Sequence, residues 1–218
     1  MSTSVSAARP PQAARLPKVI GLAAVLVVAA GFVLKYVFHY YLNYNPSGFD
    51  YLWPRRGWLL LHISGGMVAL LIGPWQFSRR LRQRYLSLHR VLGRTYLISI
   101  VCGAVAALYL AVTTPFGWAW GTALVALAMA WLTTSGMAFY AVKQRQIQVH
   151  QEWMVRSYVV TFAFVTFRVL NDFGPTSHLQ PAGDRAVTFV WVAWAVPLLF
   201  TEVVLQLRRM KLQAHARR

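Results

Sequence analysis

The sequence predicts an all-α membrane protein: a polytopic helical bundle of six transmembrane helices, with the N- and C-termini both cytoplasmic. Three observations predict it. Hydrophobic residues make up 57% of the chain and charged residues only 12%, about half the charged share of an ordinary soluble domain. The apolar residues gather into six runs, each near the ~20 residues that cross a bilayer core. The positive charge lies almost wholly in alternate connecting segments.

The runs are Val19–Leu42, Gly57–Phe77, Val91–Thr113, Gly117–Val142, Trp153–Asn171 and Ala186–Leu207. Helix is required of each, because a backbone in lipid must satisfy its own polar groups. The first run follows Arg15 and Lys18 like a signal peptide, but it continues into the aromatic belt Tyr36, Tyr40 and Tyr41. That length spans a bilayer and reads as an uncleaved helix. Turn-forming residues separate the runs: Asn43 to Pro54, Thr114-Pro115, and Phe173 to Arg185 with its Gly-Pro and Pro-Ala-Gly steps. The organisation is therefore a disordered basic N-terminal tail over 1–18, a transmembrane domain over 19–207 and a basic cytoplasmic tail over 208–218.

A net charge of +17 resembles a nucleic-acid footprint. Its distribution argues against that partner, since the basic residues sit in short clusters between apolar runs and build no soluble basic face. With both termini inside, the inner set is Arg9, Arg15, Lys18, Arg79, Arg80, Arg82, Arg84, Arg90, Arg94, Lys143, Arg145, Arg156, Arg208, Arg209, Lys211, Arg217 and Arg218. Only Arg55, Arg56 and Arg185 fall outside. Such asymmetry fixes orientation; for a multi-pass protein of this kind the cell inner (cytoplasmic) membrane is the natural default. The single Cys102 excludes an intramolecular disulfide and reads as a small buried hydrophobe.

Ionisable groups within a span are costly, so they are the candidate functional residues. His178, His215 and His39 read as solvated or interfacial. His62 lies five residues into the second run, ~7–8 Å from its outer end. Arg168 reaches a similar depth on the fifth run, and Asp172 stands four residues on, within range of an i,i+4 ion pair. His62, Arg168 and Asp172 thus form a candidate polar cluster near the outer surface, or else a structural ion pair beside a satisfied histidine. His89 and His150 stand at the inner ends of the third and fifth runs, with Glu202 of the sixth at a comparable level. Two histidines at one depth fit axial ligands of a b-type haem, or part of a metal site. The structural alternative is a pair of histidines bonding headgroups or helix ends. Gly65-Gly66, Gly73-Pro74 and Gly93 read as points of close helix approach. No nucleotide or hydrolase fingerprint is present.

The segments Leu61-His62-Ile63-Ser64-Gly65-Gly66, Gly73-Pro74-Trp75-Gln76-Phe77, Leu88-His89-Arg90-Val91-Leu92-Gly93-Arg94-Thr95-Tyr96 and His150-Gln151-Glu152-Trp153-Met154-Val155-Arg156-Ser157-Tyr158 carry a resemblance. Together they resemble the family of predicted bacterial membrane proteins known as domain of unknown function 2306. It implies the fold class and no activity. A weaker similarity is to six-helix transmembrane b-type cytochromes. The order His62, Gln76, Arg79 to Arg84, then His89 to Arg94 follows the pattern of that group. The comparison implies an inner haem on His89 and His150. No histidine stands near Phe116 to Thr122 for an outer haem.

Two functions follow. In the first, a redox-type protein binds one haem b or a quinone within the bundle. His89 and His150 are the metal ligands, while Arg90, Arg94 and Arg156 hold propionates or lipid phosphates through charge-assisted bonds. His62, Arg168 and Asp172 then form the outer proton or quinone site, next to a redox partner. In the second, the chain is a non-catalytic assembly component or a small-solute or metal permease without haem. The lipid bilayer is a partner in both, and association of copies through membrane helices fits either. Reporter fusions test the orientation: a cytoplasm-active reporter is expected to work after Arg218 and a periplasm-active one within Asn43–Pro54. The reverse pattern overturns the assignment.

Overall fold

A computed structural model describes residues 16–173 and 182–216; residues 1–15 of the tail expected over 1–18, most of the loop after Phe173, His178 and the side chain of His215 lie outside the described residues. Six helices are long and apolar enough to cross a membrane: Ile20–Leu42, Pro46–Gln76, Leu86–Val112, Trp118–Lys143, Ile147–Phe173 and Gly183–Ala214. They are called the first to sixth spans below. Every regular element among the described residues is helical, as the pattern of apolar runs predicts.

The helices outrun the apolar segments that announced them. The third begins at Leu86, before His89, and the fifth at Ile147, before His150. The sixth continues to Ala216 through the stretch expected as a tail. Gln, Leu, Arg, Lys and Ala fill that stretch and all favour helix, with no Gly or Pro to stop it. The first helix likewise starts at Leu16, with Pro17 in its first turn, where no N–H is needed.

Second, third, fourth and fifth spans form the core of the bundle, each packed on the next, with the second also touching the fifth. The first span leans on the second and the sixth on the fourth and fifth. Only 17% of the first span and 11% of the sixth are buried, against 33% to 39% of the four between them. The outer two therefore present most of their surface to the surroundings. Cys102, expected inside, lies on an exposed flank of the third span.

Two glycines set the helix spacing. At Gly65 of the second span a Cβ would lie 2.5 Å from the Ser99 carbonyl oxygen and 3.0 Å from the Gly103 Cα. Backbone thus meets backbone where the second and third spans cross, as small residues permit in membranes. Gly73, two turns on, leaves room for the ring of Tyr158, whose hydroxyl donates to the Leu70 carbonyl at 3.1 Å.

Below these crossings the core is polar as well as apolar. Tyr96, 0% exposed, pairs through its hydroxyl with Ser157 at 2.9 Å and Thr161 at 3.1 Å. Ser135 pairs with Ser157 at 2.8 Å, and the Trp131 indole donates to Thr161 at 2.8 Å. One hydrogen-bonded group therefore ties the third, fourth and fifth spans.

The connections are local structures. Ser78 caps the short helix Arg79–Arg84 by accepting from the Leu81 N–H, and Leu81 anchors it while Arg79 and Arg80 face out. The fourth span ends in a Schellman turn. There Gln146 N–H donates to Ala141 O at 2.9 Å and Arg145 N–H to Val142 O at 3.0 Å, with Arg145 at φ 59°. These two connections mark the basic end of the bundle; Asn43 to Arg55 and Thr113 to Gly117 lie at the opposite end. Gly65→Ala is expected to force the second and third spans apart at a cost of about 1–3 kcal/mol. Thermal unfolding in detergent measures it, and an unchanged midpoint removes the close crossing.

Candidate functional site

His62 is held from across the bundle. Its Nδ1 lies 2.9 Å from the backbone oxygen of Gly103 on the third span. A carbonyl only accepts, so Nδ1 carries the hydrogen, and the neutral ring leaves Nε2 as an acceptor. Nε2 has no protein partner among the described residues. The ring meets Phe164 of the fifth span edge-on, with centroids 5.2 Å apart.

The same histidine lines a cavity of about 160 Å³ enclosed by the four core spans. Leu59, Leu110, Leu124 and Leu127 wall it, and Trp131 and Phe164 close it on the inside. Tyr51, Arg55 and Thr114 rim it at the end opposite the basic one. An apolar chamber with a few placed polar groups is the usual form of a small-molecule site. A cavity of roughly 150 Å³ accommodates one benzene-sized ring.

Arg168 and Asp172 sit outward of this chamber. Arg168 is one turn beyond Phe164 on the same helix face and lies 5.6 Å from the centre of the Tyr36 ring. The structure gives Asp172 other partners than the expected Arg168: the Tyr36 hydroxyl donates to it, and Lys35 stands 3.6 Å away. Both partners come from a π-helical turn, Val33–Val37, in the first span. Its extra residue per turn directs Lys35 and Tyr36 toward Asp172 while Val33 and Val37 stay buried. Local i,i+4 arithmetic on the fifth span had no means of seeing this.

At the basic end, His150 places Nδ1 2.8 Å from the Ala138 oxygen, so Nε2 is again the open nitrogen. His89 lies within electrostatic reach of His150, Arg82 and Arg90. Its Nδ1 is buried without a partner among the described residues, and so is the Gln76 Nε2. Gln76 is only 5% exposed and packs its amide oxygen against Gly93, one turn after His89. Arg90 and Arg94 are exposed.

Arg156 is elsewhere. Its Nε and Nη2 donate to one oxygen of Glu202 on the sixth span at 2.9 and 2.5 Å, and its guanidinium stacks 4.7 Å from the Trp153 ring. Gln206 donates to the other Glu202 oxygen at 2.9 Å, and Arg209 pairs with Glu152. These crossed pairs bind the sixth span to the fifth. The sequence signal for them is the scarcity of acids, five against 22 basic residues, with Glu152 on the fifth span and Glu202 on the sixth. Among the described residues no group of three or more His, Cys, Asp or Glu side chains forms a metal site.

Glu202→Ala is expected to strand the Arg156 guanidinium, whose side chain is 8% exposed. The cost should be about 2–3 kcal/mol, less than for a fully buried pair because Glu202 is 42% exposed. Asp172→Ala, at a pair whose lysine is 62% exposed, should cost clearly less, because solvent screens an exposed ion pair. Unfolding midpoints of the two variants compare them, and equal losses contradict the assignment.

The chain belongs to the family of predicted membrane proteins designated DUF2306, whose model matches residues 59–205. No curated protein and no solved structure matches it.

Proposed function

We propose that this member of the DUF2306 family is a redox-type integral membrane protein that binds a quinol or similar hydroxyl-bearing ring under His62. The observation that carries the reading is the fixed imidazole at the ring-sized chamber. With Nδ1–H given to Gly103, Nε2 offers a lone pair. The complementary ligand group is a hydroxyl donor, as in a quinol, rather than the bare carbonyl of a quinone. The apolar walls favour the ring by area, and the single acceptor sets its orientation. Loss of electrons from a quinol releases protons, and Nε2 is placed to accept one. Arg168 and Asp172 act at the rim, outside the chamber that holds the ring.

Electrons from such a ring need an acceptor, and a haem held by His89 and His150 would be one. A haem b would supply one-electron chemistry there. His150 has the carbonyl-bound Nδ1 typical of an oriented ligand, and His89 has a buried nitrogen without a partner. Exposed Arg90 and Arg94 suit propionates. Arg156 does not, because a propionate at its guanidinium would have to displace Glu202.

Calorimetric titration of the full chain in nanodiscs with hydroquinone tests the first part. Binding is expected, weakened about tenfold or more in His62→Ala as one buried hydrogen bond is lost. Dithionite-reduced protein should also show a sharp haem band, abolished in His89→Ala and in His150→Ala. Absence of hydroquinone binding removes the ring site, and a colourless protein from haem-supplemented cells removes the haem. Both failing together leaves the non-catalytic reading.

A further inference from the structure

The rim of the His62 chamber carries charge that the ring itself does not use. Arg55 and Arg56 are neighbours in sequence and opposite in behaviour. Arg56 is committed: its Nε donates to the Tyr44 hydroxyl at 3.0 Å, its Nη1 to the Trp53 carbonyl at 3.1 Å, and its guanidinium stacks 4.5 Å from the Trp53 ring. Arg55 lines the chamber and has no hydrogen bond or ion pair among the described residues. Arg168, one turn outward of Phe164, likewise lacks a carboxylate, since Asp172 is taken by Lys35 and Tyr36. Tyr51 of the rim is within electrostatic reach of Arg55, Arg168 and Asp50.

We infer that the ligand under His62 carries an anionic substituent, a carboxylate or its equivalent, seated against Arg55 with Arg168 as the second cation of the rim. The inference rests on the ring-site reading and narrows its substrate class. Arg55 precedes His62 by seven residues, ~10 Å along a helix axis. An arginine side chain and a six-membered ring substituted at opposite ends bridge that distance. A guanidinium in a partly desolvated rim, with no internal acceptor, favours a carboxylate through charge-assisted bonds. The polar rim residues Tyr51, Arg55 and Thr114 belong to the end of the bundle rather than its apolar flank. Entry there suits a compact anionic ring better than one with a long isoprenoid tail.

Calorimetry on the full chain in zwitterionic nanodiscs decides it, using hydroquinone, 3,4-dihydroxybenzoate (whose carboxylate lies opposite a hydroxyl) and a long-chain quinol as probes. The dihydroxybenzoate is expected to bind about tenfold or more tighter than hydroquinone, as one charge-assisted contact would give. Arg55→Gln should abolish that preference, Arg55→Lys should retain most of it, and Arg56→Gln should leave it unchanged. Equal affinity for the two small rings, tighter binding of the long-chain quinol, or a preference that survives Arg55→Gln overturns the inference. The ring site itself stands in those cases as long as hydroquinone binds; if no probe binds, the ring site fails first.

Discussion

The buried hydrogen-bonded group at Tyr96 is the constraint on which the remaining structure depends. Between membrane helices there is little hydrophobic driving force, because lipid is as apolar as the side chains. Packing and internal polar bonds must supply the specificity. Tyr96, Ser157, Thr161, Ser135 and Trp131 satisfy one another from three spans, all nearly or wholly buried. A polar network that is fully satisfied fixes one arrangement, since any slip would strand a donor in a low-dielectric interior. Trp131 belongs both to this group and to the inner wall of the His62 chamber. The chamber's shape is therefore set from below by hydrogen bonds, not by apolar packing alone. Because an indole only donates, the group ends at Trp131 as a clamp and does not pass protons into the chamber.

Charge is distributed to leave that interior neutral. Three of the acids are paired between spans: Glu202 by Arg156, Glu152 by Arg209, Asp172 by Lys35 and Tyr36. Two of the three pairs secure the sixth span, which has the least buried surface of the six. Unpaired groups stand at both ends, guanidiniums at the rim of the chamber and the His89 and Gln76 nitrogens near the basic end; the buried Trp194 indole N–H of the sixth span also lacks a partner among the described residues.

The spans were legible in the sequence because lipid imposes one length and one secondary structure. Their ends were not. Beyond the hydrocarbon, hydropathy stops reporting while helix propensity continues, so the third and fifth helices begin five and six residues before Val91 and Trp153, and the sixth runs on past Leu207. His62, His89 and His150 were legible as intramembrane ionisable groups. Their partners were hidden, since Gly103 and Ala138 contribute backbone oxygens that no residue type advertises. Asp172 shows the same limit: its partners come from a π-turn of the first span, and nothing in the local spacing of the fifth span points there. Gly65 and Gly73 did announce close approach, because only a missing Cβ explains their place in a packed helix.

The proposed ring site depends on the hydrogen of one imidazole. Nitrogen-15 spectra of histidine-labelled protein in nanodiscs, assigned with His62→Ala, read both His62 ring nitrogens directly. A protonated Nδ1 and a bare Nε2 are predicted, with the Nε2 resonance moving when hydroquinone is added and Nδ1 keeping its bond to Gly103. A protonated Nε2, or an Nε2 signal indifferent to hydroquinone at saturating concentration, would contradict the account.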